Sequence, residues 1–75
     1  MEPQDACLRV LAEAAPETLH WTVVLDRALT GRLIDPFTTP DVRGVVVKTL
    51  ARLAREGRVE KRGTGLYRAR AAPPG

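Results

Sequence analysis

Seventy-five residues make room for one small domain with a modest core, and 44% hydrophobic with 28% charged residues is the balance of a chain that folds. One cysteine, Cys7, excludes an internal disulfide, and with a single histidine, His20, it leaves too few soft ligands for a structural zinc site. The net charge of +3 combines −4 over residues 1–42 with +7 over residues 43–75, a separation that suggests a polyanion-binding surface.

The first residues, MEPQDACLRV, are acidic and lack the basic and apolar regions of a signal peptide. No apolar run reaches membrane-spanning length, so no membrane partner and a cytoplasmic location are expected. Residues 5–15, DACLRVLAEAA, read as an amphipathic helix. Cys7, Leu8, Val10, Leu11 and Ala14 share one arc, and Asp5, Arg9 and Glu13 share the other. Pro16 ends it, and Cys7 is expected in the core rather than as a nucleophile.

Thr18–Trp21 is a short extended segment with β-favouring residues at its ends. Thr22 is expected to cap a second helix, TVVLDRALT, with Trp21, Val24, Leu25 and Ala28 as its inward stripe and Gly31 as its C′ residue. Trp21, the largest apolar side chain, is expected to anchor the core. His20 beside it points outward or finds a hydrogen bond.

RLIDPFTTP then forms a connection that turns at Asp35-Pro36, with Ile34 and Phe37 as its expected inward contacts. Thr39-Pro40-Asp41 has the form of a helix start: a hydroxyl cap, proline at the first position and an acid in the first turn. The third helix runs from about Pro40 to Glu56 and stops at Gly57. Val42, Val46, Thr49, Leu50 and Leu53 fall on its buried arc. Arg43, Gly44, Lys48, Ala51, Arg52 and Arg55 lie opposite.

After it, Arg58–Arg62 alternate around Val59, and Leu66–Arg70 alternate around Tyr67 and Ala69. With Gly63-Thr64-Gly65 between them, the two runs read as a β-hairpin. Val59 and Tyr67 would face the helices, while Arg58, Glu60, Arg62, Arg68 and Arg70 face water. No helix follows the glycines, so they make a turn and not a phosphate-cradling loop. The domain is therefore expected over residues 1–70, with residues 71–75, AAPPG, as a flexible tail or the start of a linker.

This order, carried by LHWTVVLDRAL and TTPDVRGVVVKTLARLAREGRVEKRGTGLYR, resembles a winged helix-turn-helix domain over residues 5–70. The "LHW" entry to helix two, the "TP" start of helix three and the closing Gly65-Leu66-Tyr67 look like the HARE-type helix-turn-helix. The resemblance implies an α+β winged-helix fold: three helices, a short strand after helix one and a C-terminal hairpin, or wing. It implies that helix three enters the major groove of double-stranded DNA while the wing touches the backbone or minor groove. Thr38, Thr39, Arg43, Gly44, Val47, Lys48 and Arg52 then become candidates for the groove-facing surface. Lys61, Arg62, Thr64 and Arg68 become candidates for the wing. Arg and Lys neutralise phosphates, and Arg can also read guanine through a bidentate contact.

Two features depart from the family pattern. The segment from Gly31 to Thr39 is longer than the tight turn of a simple helix-turn-helix, and the recognition face has no Asn or Gln to read bases. The leading expectation is a DNA-binding module, a small transcriptional regulator or the DNA-contacting part of a larger system, monomeric or weakly dimeric and without cofactor or metal. The alternative is a protein-protein interaction module that binds a nucleic-acid enzyme such as a polymerase through Val23, Val47 and Leu66, which the helix and strand phases leave outside the core. An enzyme is not expected, because no catalytic set can be assembled from one His, one Cys and no paired carboxylates.

Overall fold

A computed structural model describes residues 1–70, and the AAPPG segment read as a tail or linker lies outside them. The elements in chain order are α1 (Pro3–Ala14), β1 (Leu19–His20), α2 (Trp21–Thr30), α3 (Val42–Arg55), β2 (Val59–Gly63) and β3 (Leu66–Ala69). The architecture is α+β: three helices against one antiparallel sheet with strand order β1–β3–β2. No described helix is long and apolar enough to cross a membrane.

Helix boundaries follow local hydrogen-bond chemistry more closely than hydrophobic periodicity. α1 begins earlier than expected because Pro3 takes the first turn, where a missing N–H leaves nothing unsatisfied. α2 is capped by His20 and not by Thr22: the imidazole Nδ1 accepts the Thr22 N–H at 3.3 Å. β1 runs straight into this helix, and the Trp21 N–H is already committed to the Gly65 carbonyl at 2.8 Å. Thr22 therefore sits inside the first turn. At the other end Gly31 keeps a right-handed φ of −82°, and the left-handed C′ position passes to Arg32, with φ 57°. The Leu33 N–H returns to the Ala28 carbonyl at 2.8 Å and closes that helix end.

The connection into α3 corrects two further expectations. The Asp35 carboxylate accepts the Phe37 N–H at 2.9 Å, and its carbonyl accepts the N–H groups of Thr38 and Thr39 at 3.2 and 3.0 Å. This single turn keeps Ile34 buried but carries Phe37 outward, where it is 94% exposed. α3 then starts at Val42 and not at Pro40, because Asp41, with φ 52°, is the cap and accepts the Gly44 N–H at 3.3 Å. The helix ends as expected at Gly57, where the Arg58 N–H donates back to the Leu53 carbonyl at 2.9 Å.

The core lies between the three helices and one face of the sheet. Ala6, Cys7, Val10 and Leu11 of α1 meet Val24 and Ala28 of α2, Ile34, and Val46, Leu50 and Leu53 of α3. Leu19, Val59 and Tyr67 close it from the sheet. Thr49 is buried, while Val42, Leu25 and Trp21 pack at the margin. Trp21 is thus a half-buried residue at the edge and not the expected central anchor, because it is the first residue of α2 and lies against the hairpin turn.

β1 pairs with β3 through Leu19–Tyr67 and His20–Leu66. β2 pairs with β3 through Val59–Ala69, Glu60–Arg68 and Lys61–Tyr67, and a bulge shifts the register between Lys61 and Gly63.

Candidate nucleic-acid interface

α3 turns Val47, Lys48 and Arg55 to solvent, and an open groove runs between this helix and the hairpin. Its walls are Ala51, Ala54 and Arg55 from α3 and Lys61 and Tyr67 from the hairpin. Strand alternation puts Lys61 on the same side as Val59 and Tyr67, which explains why it faces the helix. Lys48 stands two helical turns before Arg55 on the same side of α3. Among the described residues no carboxylate lines the groove, and Lys48, Arg55, Lys61 and Arg62 form no ion pair.

The other candidate cations are placed differently. Arg52 turns toward the start of α1, where its guanidinium donates to Gln4 Oε1 at 2.9 Å and lies 3.9 Å from Glu56. Arg68 donates to Glu60 Oε2 at 2.8 Å, on the sheet face away from the groove. That hydrogen bond holds the Glu60 carboxyl below its ordinary value; burial opposes the effect, and the charges of Arg68, Arg62 and Arg70 add to it. The basic residues of the hairpin are therefore divided between its two faces: Lys61 toward α3, and Arg62, Arg68 and Arg70 around Glu60.

Arg43 lies over Trp21, with its guanidinium carbon 5.5 Å from the ring centroid. His20 stands beside the same ring at 5.7 Å, its Nδ1 2.8 Å from Thr22 Oγ1. Gly65 fits between them: a Cβ there would come 3.0 Å from His20 Nε2 and 3.1 Å from Trp21 Cδ1. The first turn of α3, the start of α2 and the hairpin turn thus converge on Trp21.

Thr38 and Thr39 belong to the turn before α3, and the Thr38 hydroxyl donates to the Asp35 carbonyl at 3.3 Å. Gly44 is covered by the Asp41 carboxylate, which occupies the space a Cβ would need. The Asp41 carboxylate at this helix N-terminus opposes the approach of an anion there. Thr64 is exposed in the hairpin turn.

Arg55, like Ala51, Ala54 and Tyr67, lines the groove but is not among the candidates that the sequence suggests. Its seven-residue spacing from Lys48 was the available signal, but no local pattern shows that Lys61 lies across the groove from it. Among the described residues no group of three His, Cys, Asp or Glu side chains is arranged to hold a metal, and no buried side-chain N or O lacks a hydrogen-bond partner. Cys7 is buried, and burial pushes its thiol up to about 11, the opposite of what a nucleophile needs. Set against protein-family models, curated proteins and solved structures, the chain matches none of them.

Proposed function

We propose that this chain is a winged helix-turn-helix module that binds double-stranded DNA, with α3 toward the major groove and the hairpin as its wing. The observation that carries the reading is the groove between α3 and the hairpin, which has Arg55 and Lys61 on facing walls, Lys48 beside it and no acid among its lining residues. Cations so placed are free to neutralise phosphates. The antiparallel order β1–β3–β2 supports it too, since pairing β1 with β3 leaves β2 at the sheet edge beside the groove.

The exposed α3 face offers Val47, Lys48 and Ala51, groups that position a protein on the DNA backbone better than they read base edges. Binding is therefore expected to depend strongly on salt and weakly on sequence. Titration of random-sequence duplex into the protein at about 50 and 200 mM salt tests it, the lower concentration giving much the tighter binding. Absence of saturable binding at the lower salt would leave the groove for an acidic protein surface, the reading favoured by the exposed Val47 that lies among the basic residues of α3.

A further inference from the structure

Phe37 is one of only three aromatic residues in the chain, and it is 94% exposed. Its backbone is held in place by the Asp35 side chain and carbonyl, which bind the N–H groups of residues 37, 38 and 39. The ring is thus presented on a fixed turn. Beside it lies an open groove of about 390 Å³, lined by Leu29, Ile34, Pro36 and Phe37, with Arg32 and Asp35 also on its walls. Neither Arg32 nor Asp35 forms an ion pair among the described residues.

We propose that this face binds a second copy of the same chain, with Phe37 of each copy packing against Leu29 and Pro36 in the groove of the other. In a twofold interface the same patch meets itself, so that residue i contacts residue j and j contacts i. This patch contains both members of each complementary pair: a protruding ring with a groove of mixed polar and apolar lining to receive it, and a cation with an anion. Across a twofold axis Arg32 of one copy meets Asp35 of its partner, and the reverse contact forms at the same time. The patch has six lining residues against the roughly 20–30 per side of a stable interface, so the dimer is a weak one. It shares no residue with the α3–hairpin groove, and the inference does not depend on DNA binding.

Sedimentation equilibrium of the whole chain, from micromolar to millimolar, tests the proposal. The expected result is a monomer–dimer equilibrium whose dissociation constant rises at least about tenfold in Phe37→Ala, the loss of a central aromatic anchor. Arg32→Asn removes the charge with a residue that tolerates the left-handed backbone at this position. It should weaken the dimer most at low salt, where an exposed ion pair contributes most. Leu66→Ala, a truncation at an exposed residue outside the patch, should leave the equilibrium unchanged. Because Phe37 lies outside the core, circular dichroism should show Phe37→Ala and Phe37→Glu folded like the parent. A chain that stays monomeric throughout the range overturns the proposal. So does a dimer that survives both Phe37 variants unweakened.

Discussion

The guanidinium of Arg43 lies 5.5 Å from the centroid of the Trp21 ring, joining the first turn of α3 to the first residue of α2. The Trp21 N–H also donates to the Gly65 carbonyl at 2.8 Å, so one residue ties together three parts of the fold. Because its ring is only half-buried, Trp21→Ala should cost about 2 kcal/mol, less than the ~3–5 kcal/mol typical of a fully buried aromatic. Trp21→Phe keeps a ring beneath the cation and should cost about half as much. Urea denaturation gives both values. Trp21 is the sole tryptophan, so its emission reports the contact directly. Arg43→Ala should shift that emission without altering the circular dichroism, and an unchanged spectrum would show that the cation does not rest on the ring in solution.

Two glycines with similar backbone angles should respond differently to alanine. Gly57 and Gly65 have φ of 74° and 72°, a conformation that costs an L-residue roughly 1–2 kcal/mol. At Gly57 the added Cβ meets only the Arg70 guanidinium at 3.0 Å, the end of a flexible side chain. At Gly65 it meets the rings of His20 and Trp21, which are held by the cap of α2 and by the contact with Arg43. Gly65→Ala should therefore be the more destabilising of the two. Chemical denaturation midpoints in the reverse order would show that the hairpin turn does not pack against these rings.

The parts of the fold visible in the sequence are those specified by period and by turn chemistry. The apolar arc of α3, the stop at Gly57 and the hairpin with Val59 and Tyr67 turned inward all follow from residues close together in the chain. The misses share a different cause. Thr22 and Thr39 look like caps on their own, but the Trp21 N–H is taken by Gly65, far along the chain, and Asp41 adopts a left-handed cap that no pattern of hydroxyl and proline encodes. Phe37 looks like a core residue until the Asp35 turn sets its direction. At the candidate interface, the sequence shows how much positive charge the hairpin has but not which of its faces carries it. Pairing of Glu60 with Arg68 and of Lys61 with Tyr67 decides that division.

Burial of Cys7 has a consequence at high pH. Its thiol is raised from the ordinary 9.0 to about 11, because the thiolate cannot be solvated in the core. A group with a raised pKa holds its proton more tightly in the folded state. Its contribution to stability is fully present below pH 9 and is lost as the pH climbs toward 11, by an amount on the order of 2–3 kcal/mol. Cys7→Ala should flatten this part of the pH–stability curve, even though it lowers stability at neutral pH by leaving a small cavity. At pH 8 the native thiol should react with an aromatic disulfide reagent only as fast as the protein opens. Rapid reaction of the folded chain would show that Cys7 is accessible.

If the chain binds DNA as proposed, the two faces of the hairpin should contribute unequally to it. Lys61 and Arg55 wall the groove beside α3, whereas Arg68 spends its hydrogen-bonding capacity on Glu60 at 2.8 Å, on the opposite face. If phosphates enter the groove, each cation that neutralises one adds about 0.9 to the slope of log K against log salt. Arg55→Gln with Lys61→Gln should lower that slope by about 1.8 and weaken binding to all duplexes alike. Arg68→Gln should leave the slope nearly unchanged, because its partner across the sheet is an acid and not the DNA. Lys48→Gln, on the α3 face beside the groove, should behave like the groove variants or alter the ranking of sequences. Arg68 lies at the sheet face and is partly buried, so circular dichroism must first show each variant folded. A slope that falls for Arg68→Gln but not for the Arg55 and Lys61 pair would move the nucleic acid to the other face of the hairpin, where Arg62, Arg68 and Arg70 surround Glu60.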